Sequence, residues 1–159
     1  ARLAKALWAA GHDVVNCEAI QPAYGFEDLA GYFRQLCESL RDEQGTHFIS
    51  HSLGGQILRA GLCQLVPFPL RRIVLLEVPH RGAKVVSRRL DSAICTDAAI
   101  GWKAANDFSR DAAWLNSIGC PDAEIGVIAA WINRFYGAAG ERDGTAELDC
   151  ALLPQAKNT

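Results

Sequence analysis

Apolar and polar positions along the chain switch repeatedly between a helical period and short β-rich runs. Residues 2 to 10 read as a helix closed by Gly11, and Asp13-Val14-Val15-Asn16-Cys17 as a strand. A loop from Pro22 to Gly25 leads into a second helix over Glu27 to Leu40, whose Leu29, Phe33, Leu36 and Leu40 recur at about 3.6 residues. Gly45 ends that segment, and Phe48-Ile49 form the centre of a short buried strand. Helix formers follow from Gln56 to Leu62, then Pro67 and Pro69 break the chain before a strand at Arg72 to Val78. The pattern loosens over residues 83–120, with weak helical stretches at Ala83 to Ser92 and Ala104 to Ser117. Glu124 to Trp131 is the last clear strand, before the turn-rich segment Gly137 to Gly144. Helix and strand in this order predict an α/β protein, a mostly parallel sheet covered by helices.

One junction carries candidate chemistry. In Thr46-His47-Phe48-Ile49-Ser50-His51-Ser52-Leu53-Gly54-Gly55 an apolar strand stops at a serine and continues into a helix. A serine on so tight a turn has its hydroxyl pushed out above the sheet edge, provided that small residues two before and two after it let strand and helix approach. Here those residues are Ser50 and Gly54. Glycine is usual at both places, and serine is the next smallest side chain that could sit under the turn. The competing reading is an ordinary strand-turn-helix corner with a capping serine.

The chain resembles lipase-like and esterase-like members of the α/β-hydrolase superfamily, close to bacterial PGAP1-like lipases. The resemblance rests on His51-Ser52-Leu53-Gly54-Gly55, on Ile73-Val74-Leu75-Leu76-Glu77-Val78-Pro79-His80-Arg81-Gly82, on Glu124-Ile125-Gly126-Val127-Ile128-Ala129 and on Gly140-Glu141-Arg142-Asp143-Gly144-Thr145. His80 stands where asparagine is frequent in the family's turn. The resemblance implies an α/β-hydrolase fold with helices on both faces, Ser52 as nucleophile and Asp143 as the acid of a catalytic triad. Glu77, at the end of the preceding strand, is the fallback acid, and a plain turn aspartate is the other reading of Asp143. The backbone N–H of Leu53 would be one oxyanion donor, the second coming from a loop before residue 1.

Histidine is the gap in that triad, because the order in this fold is serine, acid, histidine and none follows Asp143. His12 follows a helix cap. His47 begins the elbow strand, about 15 Å from Ser52 at the usual strand rise. His51 adjoins Ser52 with its side chain on the opposite face, so it is expected to pack or hydrogen-bond beside the elbow. His80 follows a strand at the same edge and could line the pocket or act as surrogate base. The expectation is that the catalytic histidine lies beyond Thr159.

Composition narrows the rest. The 159 residues suit one domain but are short for a whole hydrolase of this kind; the chain has no methionine and opens in a helical pattern, so it reads as an incomplete domain, truncated at both ends. The loose region at about 83–120 suggests a cap or lid supplying an acyl pocket through Trp102, Phe108 and Trp114, or else ordinary core. Six cysteines at 17, 37, 63, 95, 120 and 150 form no Cys-x-x-Cys pair, so no metal or redox site is expected. An even count could form disulfides in a secreted protein, but Cys17, Cys37 and Cys63 sit in apolar stretches, which favours a reduced cytoplasmic chain, and the serine chemistry needs no cofactor. A net charge of -2 with 21% charged residues gives no footprint for nucleic acid. Arg71, Arg72, Arg81, Arg88 and Arg89 cluster, either as a solvated face or as positive charge near an acidic substrate group. No apolar run is long enough to span a membrane.

The expected function is a serine hydrolase of carboxylic esters, lipid-like or other acyl esters, working through an acyl-enzyme intermediate. Its partner would be a small acyl ester, with at most transient contact with a lipid surface. Without its histidine the isolated chain is expected to be inactive. An acyltransferase or thioesterase would use the same groups, and a noncatalytic binding protein would keep the fold alone.

Overall fold

A computed structural model describes residues 2–17, 24–40, 44–64, 68–80 and 112–129. Their order is α1 (Arg2–Ala9), α2 (Phe26–Ser39), β1 (Thr46–His51), α3 (Leu53–Cys63), β2 (Leu70–Leu76), α4 (Ala112–Ser117) and β3 (Glu124–Ile128). The three strands form a parallel sheet in the order β1-β2-β3. Residues His51, Leu76 and Ile128 pair across it at the carboxyl edge.

The first helix ends as its sequence suggests, with Gly11 at φ 88, a conformation open to glycine without steric cost. The strand expected at Asp13 to Cys17 does not form. Trp8 Nε1 donates to the Val14 carbonyl at 3.2 Å, tying the segment back to α1, and residues 15–17 are exposed. Free of a strand's burial, Cys17 is exposed.

Helix α2 starts where Gly25 donates its N–H to Asp28 Oδ2 at 2.9 Å, with Glu27 and Asp28 placing negative charge at the helix's positive end. Leu29 and Cys37 are buried and Phe33 packs against the core, whereas Leu40, expected on the same face, is exposed past the helix end. Phe33 meets Phe48 edge to face, ring centroids 5.8 Å apart, and Phe48 lies 6.0 Å from Phe68. Gly61 lets α3 close on α2, since a Cβ there would stand 2.7 Å from Phe33 Cδ1.

Helix α3 is buried from Leu53 through Leu62 except at Gly54, as befits a helix covered on more than one side. Its Leu58 and Leu62 join Ile73, Leu75, Val78 and Ile125 in the core beneath the sheet. Strand β2 stops at Leu76, two residues before the expected Val78, because Glu77 turns to φ 50. Val78 nonetheless remains wholly buried. Strand β3 is described to Ile128, and the rest of its expected run, up to Trp131, extends past the described residues.

Candidate active site at the elbow

Ser52 sits between β1 and α3 at the carboxyl edge of the parallel sheet, where open α/β folds place their ligands. Its backbone has φ 53 and ψ -131. A non-glycine residue held there stores strain on the order of 1–3 kcal/mol, which persists only where the surroundings impose it. Those surroundings are visible. The Ser52 N–H donates to the Leu76 carbonyl at 3.0 Å, continuing the β1–β2 ladder one residue beyond the strand, and the Gly55 N–H closes the first helical turn on the Ser52 carbonyl at 3.0 Å.

The two small residues flanking the elbow meet as expected. A Cβ added to Gly54 would lie 3.0 Å from Ser50 Oγ, so strand and helix are at close approach and a larger residue at either position would have to push one of them away. The Ser52 hydroxyl makes no capping bond, so it does not act as an ordinary N-cap. The Leu53 amide opens α3, a position that helix geometry leaves without an intrahelical acceptor, and its side chain is buried.

Around Ser52 the histidines and acids are arranged as follows. His51 is exposed, with Nε2 3.7 Å from Glu77 Oε2, so it sits beside the elbow as a surface group. Glu77, the second non-glycine residue at positive φ, ends β2 as Ser52 ends β1, and its N–H donates to the Ile128 carbonyl at 2.8 Å. His80 is 1% exposed. Its Nδ1 lies 3.2 Å from Arg59 Nη1, and its Nε2 is buried with no hydrogen-bond partner among the described residues. Burial first, and then the Arg59 charge, push the His80 pKa down to about 3, which leaves the ring neutral at ordinary pH. No histidine is hydrogen-bonded to Ser52 among the described residues.

Two buried polar side chains were missed in the sequence. Gln56 (0% exposed) donates through Nε2 to the Pro79 carbonyl, and Arg59 (2% exposed) donates to Gly119 and Leu115 carbonyls. The available signal was their place inside an otherwise apolar helix, where a polar residue three positions from another must find partners.

Asp143, Arg81, Arg88, Arg89, Cys95, Cys150, Trp102 and Phe108 lie outside the described residues, as do the Trp114 side chain and most of the lid expected at 83–120. Arg71 and Arg72 are exposed; Arg71 donates to the Gln44 carbonyl at 2.8 Å and Arg72 pairs with Glu124 at 2.7 Å. That is the solvated-face arrangement. A cavity of about 330 Å³ opens between α2, α3 and α4, lined by Phe26, Ala60, Cys63 and Ile118 among others. Ser52 does not line it, so the cavity is separate from the elbow.

The fold is that of an α/β-hydrolase, a parallel sheet with helices and a strand-serine-helix elbow. The mature lipase BlEst2 of Bacillus licheniformis is similar, with a TM-score of 0.60 at 17% identity over 86% of this chain and 65% of that one. Phospholipase PlaB of Legionella pneumophila, solved in complex with thio-NAD, is similar with a TM-score of 0.60 at 16% identity over 95% of this chain. The same phospholipase in another structure gives 0.57 at 18% over 87%. This chain spans 65% of the lipase and 39% or 37% of the phospholipase. No protein-family model matches the chain, and no curated protein matches it significantly. Among the described residues no helix is long and apolar enough to cross a membrane, and no cluster of side chains could hold a metal ion.

Proposed function

We propose that Ser52 is the nucleophile of a hydrolase acting on carboxylic esters of lipid-like or other acyl character. The observation that carries this reading is its backbone at φ 53 between a parallel strand and a helix, with a hydroxyl that caps nothing. Strain held at a sheet edge, where an ordinary cap would relax it, is what an exposed nucleophile requires. The similarity of the fold to a lipase and a phospholipase supports the substrate class.

In this reading Ser52 Oγ attacks the ester carbonyl and its proton passes to a histidine, which returns it to the departing alcohol. Water then attacks the acyl-enzyme, delivering a proton to the same imidazole, which passes it to Ser52 Oγ as the acyl–Oγ bond breaks and the carboxylic acid leaves. The Leu53 N–H stabilises the oxyanion, and Asp143 orients the imidazole. None of the four histidines is hydrogen-bonded to Ser52, and His80 is held by Arg59, so the base is the one role in this reading to which no residue is assigned. A noncatalytic role has one observation in its favour, that same lack of a histidine on the serine.

The test reads the gene on both sides of this segment and assays its full product on acyl esters and with a fluorophosphonate reagent. A histidine downstream, an adduct on Ser52 and loss of hydrolysis in Ser52→Ala are the expected results. Hydrolysis that survives Ser52→Ala, or no labelling of Ser52, would sink the proposal.

A further inference from the structure

The segment leaving β2 runs in step with the first two turns of α3. The Ser52 N–H donates to the Leu76 carbonyl, Gly55 faces Val78, Gln56 Nε2 donates to the Pro79 carbonyl, and Arg59 reaches His80. Four successive contacts thus tie residues 76–80 to residues 52–59. The elbow is the first rung and the Arg59–His80 pair the last.

That last rung is chemically unusual. Arg59 is buried, and no carboxylate pairs with it among the described residues. Its guanidinium instead spreads over neutral acceptors: Nε and Nη2 to the Gly119 carbonyl at 3.2 and 2.8 Å, Nη2 to the Leu115 carbonyl at 3.4 Å, and Nη1 to His80 Nδ1 at 3.2 Å. A guanidinium has only donors, so His80 Nδ1 must be the acceptor and the ring proton must sit on Nε2. A buried cation is costly unless its donors are used, and a methionine or leucine would fill this space at no such cost. Fixing the geometry of three segments at once is what the charge can do and an apolar residue cannot.

We propose that Arg59 is a positioning residue for the elbow: by donating to Nδ1 it fixes His80 as the Nε2–H tautomer, holds residues 76–80 in register along α3, and so sets the backbone direction of Ser52. Its consequence for catalysis rests on the reading of Ser52 as nucleophile. The register itself does not.

The test starts with nitrogen NMR of the wild-type imidazoles, which needs no variant to fold. His80 is expected to carry its proton on Nε2, and a proton on Nδ1 would overturn the proposal. Amide hydrogen exchange in Arg59→Lys and Arg59→Met is then compared with wild type. Lysine keeps the charge but not the planar fork. Exchange at Ser52 is expected to accelerate at least ~10-fold more than at Ile73 and Leu75 in β2. Equal acceleration everywhere would leave Arg59 a plain structural residue, and no change at Ser52 would do the same. In the full gene product, Arg59→Lys is expected to lower kcat by ~10-fold or more with KM within about twofold. An unchanged kcat in an enzyme that depends on Ser52 overturns the positioning role. Activity that ignores Ser52→Ala instead sinks the nucleophile, and the tautomer and exchange results still decide the register.

Discussion

The α-carbon of Gly55 faces Val78 so closely that an added Cβ would lie 2.2 Å from Cγ2 and 2.8 Å from Cγ1. Val78 cannot swing aside, because it is wholly buried and branched at Cβ. Gly55→Ala should therefore push α3 away from the segment after β2 and destabilise the protein by about 1–3 kcal/mol, the usual cost of overpacking. Gly126→Ala is the control, since a Cβ there meets nothing within 4 Å. Urea unfolding of both variants checks this, and equal midpoints would contradict the close approach.

Ser52 has a backbone that glycine would accept more readily. Its φ 53 and ψ -131 are the mirror image of the polyproline region, which glycine populates on either side. Because the hydroxyl makes no capping bond, its removal should cost the helix little. Ser52→Gly should raise stability by about 1 kcal/mol, the strain released less the entropy glycine loses on folding. A variant less stable than wild type would show that the elbow is not strained.

The elbow was legible in the sequence because Ser50, Ser52 and Gly54 combine small size with a strand on one side and a helix on the other, all of them local signals. Parallel strands at β1, β2 and β3 followed from their β-rich runs. Asp13 to Cys17 failed because β-branched residues fit any extended, partly covered surface, and the tie from Trp8 to Val14 is a side-chain contact no period reveals. In the sequence Arg59 is one helix former among others and His80 a residue that could line the pocket. Their pairing joins positions 21 residues apart and depends on register between α3 and the segment after β2, which sequence spacing does not encode.

Cys37 tests the packing of α2. It is 3% exposed, and burial, followed by the nearby Cys17 and Glu38, pushes its thiol up to about 12. At pH 8 only about one molecule in ten thousand would carry the reactive thiolate there, so alkylation of the native protein should leave Cys37 unmodified. Cys17, exposed in the segment that did not become a strand, should react faster, although partial burial raises its thiol as well. Site mapping by mass spectrometry after a short iodoacetamide pulse reads both positions, and comparable labelling would mean that the face of α2 carrying Cys37 is not packed against the core.

His80 makes stability depend on pH in a fixed direction. Its pKa in the folded chain is held down to about 3, against an ordinary value of 6.5 once the chain unfolds. Between those values the unfolded state binds a proton that the folded state refuses, so stability rises with pH through the window and is lost as pH falls below about 6.5. Carboxylates begin to contribute lower down, so the clean interval is pH 7 to 5.5, where the loss should amount to about 1 kcal/mol. His80→Gln removes the titrating group and should flatten the urea midpoint over that interval, whatever it does to stability at pH 7. If the wild-type midpoint is already flat there, or if the variant keeps the same slope, His80 is not the buried neutral base that its bond to Arg59 requires.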